Sequence, residues 1–164
     1  MSDKVNDAIE RGAMSTSENA NAVQVDIMAA KAVCINRGVR LTKLRQAILE
    51  VLLEVSAPIK AYEIIEKMRD KGERLTPATV YRVLDFLLQC GLVHRINALN
   101  AFIPCTGNHE EHSMLLFVCS QCQHAKEMDD PILYEAMRGR LEELGMSLSD
   151  NCIEIQGTCH KCIS

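Results

Sequence analysis

The residues of this chain best suited to chemistry are four cysteines in two C-x-x-C pairs, Cys119 with Cys122 and Cys159 with Cys162. A zinc–thiolate site needs four soft donors at about 2.3 Å in a tetrahedron, and one C-x-x-C turn supplies two of them from a single loop. Two such turns complete a shell, so the four cysteines are read as a structural zinc site. The 36 residues between the pairs, Gln123 to Thr158, are too many for a compact zinc ribbon and suit a site that joins a hairpin to a later strand. A redox C-x-x-C accounts for one pair but not two, and an iron–sulfur cluster would colour the protein. Four further donors stand apart: His94, Cys105, His112 and Glu127. Together they make an N2SO shell at the junction of two domains, where a bound metal can fix their relative orientation. Singly, each has an ordinary explanation: His94 as a surface residue of the hairpin, Cys105 as a small buried hydrophobe, Glu127 as a solvated strand residue. Spacing leaves both readings open, and His109 is a spare donor nearby.

Eight cysteines would suggest disulfides in a secreted chain, but Met1 to Asn21 has no apolar run of the kind that forms an export signal. The protein is expected in the cytoplasm, where thiols and metal thiolates are the better reading. That polar opening is expected to be a disordered tail over residues 1–22. No apolar run approaches the roughly 18 to 20 residues that span a bilayer, so no membrane role is expected. The net charge of −4 hides an asymmetry. Ala30 to Asn97 carries 12 Lys and Arg against 7 Asp and Glu, whereas Ala98 to Ser164 carries 4 against 10. All five histidines and six of the eight cysteines lie at or after residue 94. Polyanion binding and metal binding are thus separated along the chain.

These donors must be positioned by the elements around them. Val25, Met28, Ala29 and Ala32 mark a first helix over Val23 to Asn36, ended near Gly38. Thr42 caps a second, whose Leu44, Ile48, Val51, Leu52 and Val55 form one apolar face. Ala61 to Lys71 is a third, with Ile64, Ile65 and Met68 inward. Thr76 as N-cap and Pro77 at the first helical position open a fourth, which runs with Val80, Val83, Leu84, Leu87 and Leu88 on one face to Gly91. Two short runs, Leu92 to Ile96 and Ala101 to Cys105, make a β-hairpin. Strands at Met114 to Val118 and His124 to Met128 flank the first C-x-x-C. A helix from Asp130 to Leu144, with Leu133, Met137, Leu141 and Leu144 on one face, and a strand from Cys152 to Gln156 lead to the second. The fold expected is α+β: an N-terminal winged helix-turn-helix over residues 23–105, then a small α/β dimerisation and zinc-binding domain over 106–164.

Thr79-Val-Tyr-Arg82 on the fourth helix, the hairpin and the two C-x-x-C pairs resemble the ferric-uptake-regulator family of metalloregulators. Gly91-Leu-Val-His94, Phe102-Ile-Pro-Cys105 and the seven-residue step from His112 to Cys119 are similar to its zinc-uptake branch. The resemblance implies a homodimer, one structural zinc on the four cysteines and a regulatory zinc on His94, Cys105, His112 and Glu127, hence two Zn2+ per chain. It also implies zinc-dependent repression of zinc uptake genes. A thiolate at Cys105 favours zinc over the harder shell expected for iron or manganese sensing, or for a peroxide sensor. Those remain the alternative on the same scaffold. No enzyme and no small-molecule substrate are expected, because four protein ligands leave zinc no open position for water.

A dimer carrying two such helices suits a palindromic double-stranded DNA operator. Arg82 is the expected base contact, since a guanidinium can donate bidentately to guanine O6 and N7. Tyr62 matches a family position that approaches bases. The competing reading packs Tyr62 against the fourth helix and leaves Arg82 on phosphate alone. Arg40, Lys43, Arg45, Lys60, Thr79 and Tyr81 are the expected phosphate contacts.

Overall fold

The capping residues around the fourth helix do what their types require: Thr76 Oγ1 accepts from the Thr79 amide and Pro77 occupies the first helical position. In the computed structural model, which describes residues 16–55, 57–105, 114–128, 130–148 and 152–163, this is helix α4, Pro77–Gln89. Before it come α1 (Thr16–Asn36), α2 (Lys43–Leu53) and α3 (Ala61–Asp70). Ile48, Leu49, Val51 and Leu52 of α2, Ile64 and Met68 of α3, and Val80, Leu84 and Leu87 of α4 meet in one apolar core.

The hairpin follows: β1 (Val93–Ile96) pairs antiparallel with β2 (Ala101–Pro104) across a single 3-10 turn, Asn97–Leu99. Asn100 closes that turn at φ 48°, a left-handed position that Asn tolerates. Ile59, just before α3, bridges to Phe102, with Ile59 N donating to Phe102 O at 3.0 Å and Phe102 N to Ile59 O at 2.8 Å. Helix, turn, helix and a hairpin stitched to the helical core constitute a winged helix.

The C-terminal half is a three-stranded sheet in the order β4-β3-β5, from β3 (Met114–Cys119), β4 (Ala125–Met128) and β5 (Cys152–Gly157). β3 is antiparallel to β4 and parallel to β5. Helix α5 (Pro131–Glu143) makes the crossover between β4 and β5 and packs against β3 with Tyr134 inward. Among the described residues, no helix is long and apolar enough to cross a membrane.

Three expectations need correction. Helix α1 begins at Thr16, ahead of the expected start at Val23. Its inward face is Ile27, Ala30 and Cys34, whereas Met28, Ala29 and Ala32 are exposed. Two apolar stripes overlap on that helix, and packing on α2 selects the one bearing the β-branched Ile27 and the thiol. On α5, Leu133 and Leu144 are 42% and 56% exposed while Tyr134 is buried. Leu133 and Leu144 are thus outward, while Met137 and Leu141 of the expected stripe are half-buried. The expected division after Cys105 adjoins residues 106–113, which lie outside the described residues together with His109 and His112.

Candidate metal centre and nucleic-acid interface

The parallel pairing of β3 with β5 gathers the four cysteines. Cys119 ends β3 opposite Gly157 at the end of β5, so the turns that follow the two strands leave the sheet at the same edge. The first turn is closed by Cys119 N donating to His124 O at 2.8 Å and Gln123 N to Cys119 O at 2.9 Å, with Gln123 at φ 59°. The second is closed by Cys162 N donating to Cys159 O at 2.8 Å. Ser120 ties them together, its backbone N and Oγ both donating to Gly157 O at 2.8 and 3.0 Å.

All four sulfurs lie within 4.8 Å of one another, and Cys122 Sγ is 3.7 Å from Cys159 Sγ. A tetrahedron with 2.3 Å metal–sulfur bonds has edges of about 3.8 Å. The donor set is soft and saturated. Backbone amides already point into it: the amides of Cys122 and Cys159 hold the Cys119 thiol down at about 6, and Cys159 N lies 3.4 Å from Cys119 Sγ. Hydrogen bonding with the Cys159 and Cys122 sulfurs pushes Cys162 up to about 12. Four sulfurs this close cannot all ionise without a cation among them, and Zn2+ matches both the size and the softness of the shell.

The second candidate group follows from strand register, because residues opposite one another on paired strands share a face. In the hairpin, His94 pairs with Ile103 and Ile96 with Ala101, and Cys105 N extends the ladder to Leu92 O at 3.0 Å. His94, Ile96, Ile103 and Cys105 therefore share one face. The other face carries Val93 and Phe102 into the helical core. In the sheet, Leu116 pairs with Glu127 on one side and Glu154 on the other, placing all three on one face. Ile96 and Ile103 of the wing pack with Leu116 and Val118 of the sheet, so these two faces are apposed. By register, His94 and Cys105 lie on the wing face and Glu127 on the sheet face that meet in this seam, although among the described residues only the four cysteines draw together as a candidate metal group. Cys105 is buried and His94 Nε2 is sealed from solvent. His112, the fourth expected donor, lies outside the described residues.

The residues expected to meet nucleic acid all lie on the helical domain, with Lys60 beside the wing and the Cys122–His124 turn. Ala78, Tyr81, Arg82 and Asp85 form the exposed face of α4, and Tyr62 on α3 is 57% exposed rather than packed on α4. Arg40 and Lys43 are exposed, and Lys60 is half-buried. Thr79 Oγ1 is hydrogen-bonded to Thr76 Oγ1 at 2.9 Å, which holds the start of α4. Arg45 is engaged internally: its guanidinium stacks 3.4 Å from the Phe86 ring centroid and Nη1 donates to Arg40 O at 2.7 Å. It braces the loop that presents Arg40.

One residue was not singled out from the sequence. Glu154 on β5 accepts hydrogen bonds from the backbone amides of Asn97, at 2.6 Å, and Ala98, at 3.1 Å, so it caps the turn at the tip of the wing. A carboxylate between two isoleucines in a half-buried strand was the available signal, but only the register shows which surface it faces.

Known proteins share this arrangement. The family model of the ferric uptake regulator family matches residues 36–156. The zinc uptake regulation protein of Escherichia coli (strain K12) is 32% identical over 135 residues, 82% of this chain and 79% of that protein. A structure of a zinc uptake regulator complexed with zinc and DNA superposes with a TM-score of 0.77 at 31% identity, covering 86% of this chain and 95% of the other. The crystal structure of holo XcZur superposes at 0.73 with 34% identity, covering 88% and 98%. The family match spans the helical core, the wing and the sheet up to Gln156. With a winged helix, a four-cysteine centre and this extent of likeness, the chain belongs to the ferric uptake regulator family.

Proposed function

We propose that this protein is a zinc-responsive transcriptional repressor of zinc uptake genes, acting in the cytoplasm as a homodimer on palindromic operators and holding two Zn2+ per chain. The observation that carries the reading is its likeness, over 86% of the chain, to a zinc uptake regulator complexed with zinc and DNA. Cys119, Cys122, Cys159 and Cys162 hold the structural ion. His94, Cys105, His112 and Glu127 hold the regulatory one, at the seam between residues 23–105 and residues 106–164. Zn2+ held by these residues would tie wing and sheet together. For this, Cys105 must be a thiolate and His94 and His112 neutral, so the regulatory site weakens in mild acid. The thiolate of Cys105 and the absence of an open coordination position favour zinc over iron, manganese or peroxide sensing and over catalysis. Ile132, Leu133, Leu144, Met146 and Ile163, all exposed on this chain, support a second copy as the partner of the α5 side.

Arg82 reads a base edge in the major groove, Tyr62 approaches the adjacent bases, and Arg40, Lys43, Lys60, Thr79 and Tyr81 hold phosphates, with Arg45 as their brace. Wing and sheet fixed in one arrangement set the spacing of the two α4 helices in the dimer. A coupling of about 1 to 3 kcal/mol changes DNA affinity by about 5 to 150-fold. The test is DNA binding by apo, zinc-, iron- and manganese-loaded protein, together with metal per chain. Zinc-selective binding and two zinc ions per chain are expected, with Cys105→Ala losing one ion and the response. Equal affinity in all four forms refutes the reading.

A further inference from the structure

The wing tip is held to the sheet at two adjacent points. Ile96, fully buried, packs on Leu116 and Val118. The next two residues, Asn97 and Ala98, donate their amides to the two oxygens of Glu154, which lies 57 and 56 residues further along the chain. These amides open the 3-10 turn, where helical hydrogen bonding leaves them without a partner of their own, and an ionised carboxylate is the strongest acceptor for such a pair. Glu154 is also one strand from Leu116 and two strands from Glu127, on the same face. Strand spacing puts those two carboxylates roughly 10 Å apart on one rigid row. One end of the row carries a proposed zinc ligand, and the other grips the wing.

We propose that Glu154 is a positioning residue that couples zinc in the seam to the orientation of the DNA-binding domain. The inference rests on the functional reading above and adds the route by which that seam acts. The bidentate grip is satisfied in one wing–sheet arrangement. Donors drawn together across the seam favour that same arrangement, because Glu127 and Glu154 cannot move independently within paired strands. Glu154 is neither one of the proposed zinc ligands nor one of the proposed DNA contacts, so its removal should uncouple the two without abolishing either binding event.

The test compares wild type, Glu154→Ala, Glu154→Gln and a control, Asp26→Asn, on the exposed face of α1. The probe is a palindromic duplex selected from a random library by the zinc-loaded wild-type protein. Zinc per chain and DNA affinity are measured with saturating zinc and with the regulatory ion chelated. Glu154→Ala should keep wild-type zinc content and chelated-state affinity, while its zinc-dependent gain in DNA affinity falls to less than about a third of the wild-type gain. Glu154→Gln, which retains one oxygen acceptor, should fall between, and the control should match wild type. Amide hydrogen exchange at Asn97 and Ala98 should be at least tenfold faster in Glu154→Ala. An unchanged zinc-dependent gain overturns the proposal, as does an equal loss in both metal states, which marks a merely structural residue. Wild type without any zinc-dependent gain removes the functional reading and the coupling with it. Unchanged exchange at Asn97 and Ala98 also overturns the proposal, because the coupling runs through that grip.

Discussion

Replacing Cys159 by Ala should take apart the C-terminal half and leave the helical half standing. Among the described residues, the large apolar side chains fully buried in the sheet and α5 are Leu115, Leu116, Val118 and Tyr134. At about 1.5 to 3 kcal/mol each, their burial contributes roughly 6 to 12 kcal/mol. A structural zinc site has an apparent binding free energy of about 10 to 16 kcal/mol in small peptides. The metal is therefore as large a contribution there as the whole apolar core. Among the described residues, the helical half has nineteen buried residues in one cluster and needs no such help. Cys159 also supplies the amide that faces Cys119 Sγ, and that amide stays when the thiol is removed. The loss thus isolates the fourth sulfur. Metal analysis should find one zinc fewer per chain, and circular dichroism should show two thermal transitions, with the sheet melting first. Sedimentation should show monomer. A variant with wild-type zinc content, or a zinc-depleted variant with a single unchanged transition, would refute the argument.

Arg82→Ala should weaken operator binding by about 1 to 3 kcal/mol and relax sequence preference at one position per half-site, whereas Lys43→Ala should weaken all sequences alike and lower the salt slope by about 0.9 per contact. Fluorescence anisotropy on matched and substituted duplexes separates them, and uniform weakening by Arg82→Ala would place that side chain on phosphate. Gly157→Ala puts a Cβ 2.9 Å from Phe117 Cε2 and 3.3 Å from Cζ, so the ring must move; destabilisation of about 1 to 3 kcal/mol is expected in chemical denaturation. Burial, and then the neighbouring Cys90, raises the Cys34 thiol from 9.0 to about 11, so the fold favours the neutral form. Its contribution to stability is fully present below pH 9 and lost as pH rises through 11. Urea midpoints from pH 8 to 11 should fall more steeply in wild type than in Cys34→Ala, and parallel profiles would contradict this.

What could be read in advance was whatever one segment decides alone. Thr76, Pro77 and the spacing from Val80 to Leu87 fix α4 without reference to anything else, and the structure places it at Pro77–Gln89. The hairpin and the strands around the first C-x-x-C were legible for the same reason. The inward face of α1 was not, because two apolar stripes compete and α2 decides between them. Leu133 and Leu144 misled in another way: they share helical spacing with Met137 and Leu141, but this chain covers only the latter two, and only in part. The four cysteines were legible as a site because the chemistry of two C-x-x-C turns demands a common ion. Glu154 was hidden, since its importance lies in the pairing of β5 with β3, which no local pattern encodes.

That same parallel pairing governs the order of events when the chain folds. Each C-x-x-C turn is local and can form as soon as its own four residues are present. Bringing Cys119 to Cys159 closes a loop across 40 residues, the kind of distant contact that forms late because chain entropy opposes it until many other contacts exist. An ion captured early by one turn is held by two sulfurs and is readily lost. Only a chain that has threaded β4 and α5 across and laid β5 beside β3 can offer all four. Retention of the metal is thus a record of correct topology, and a misregistered chain declares itself by letting the ion go.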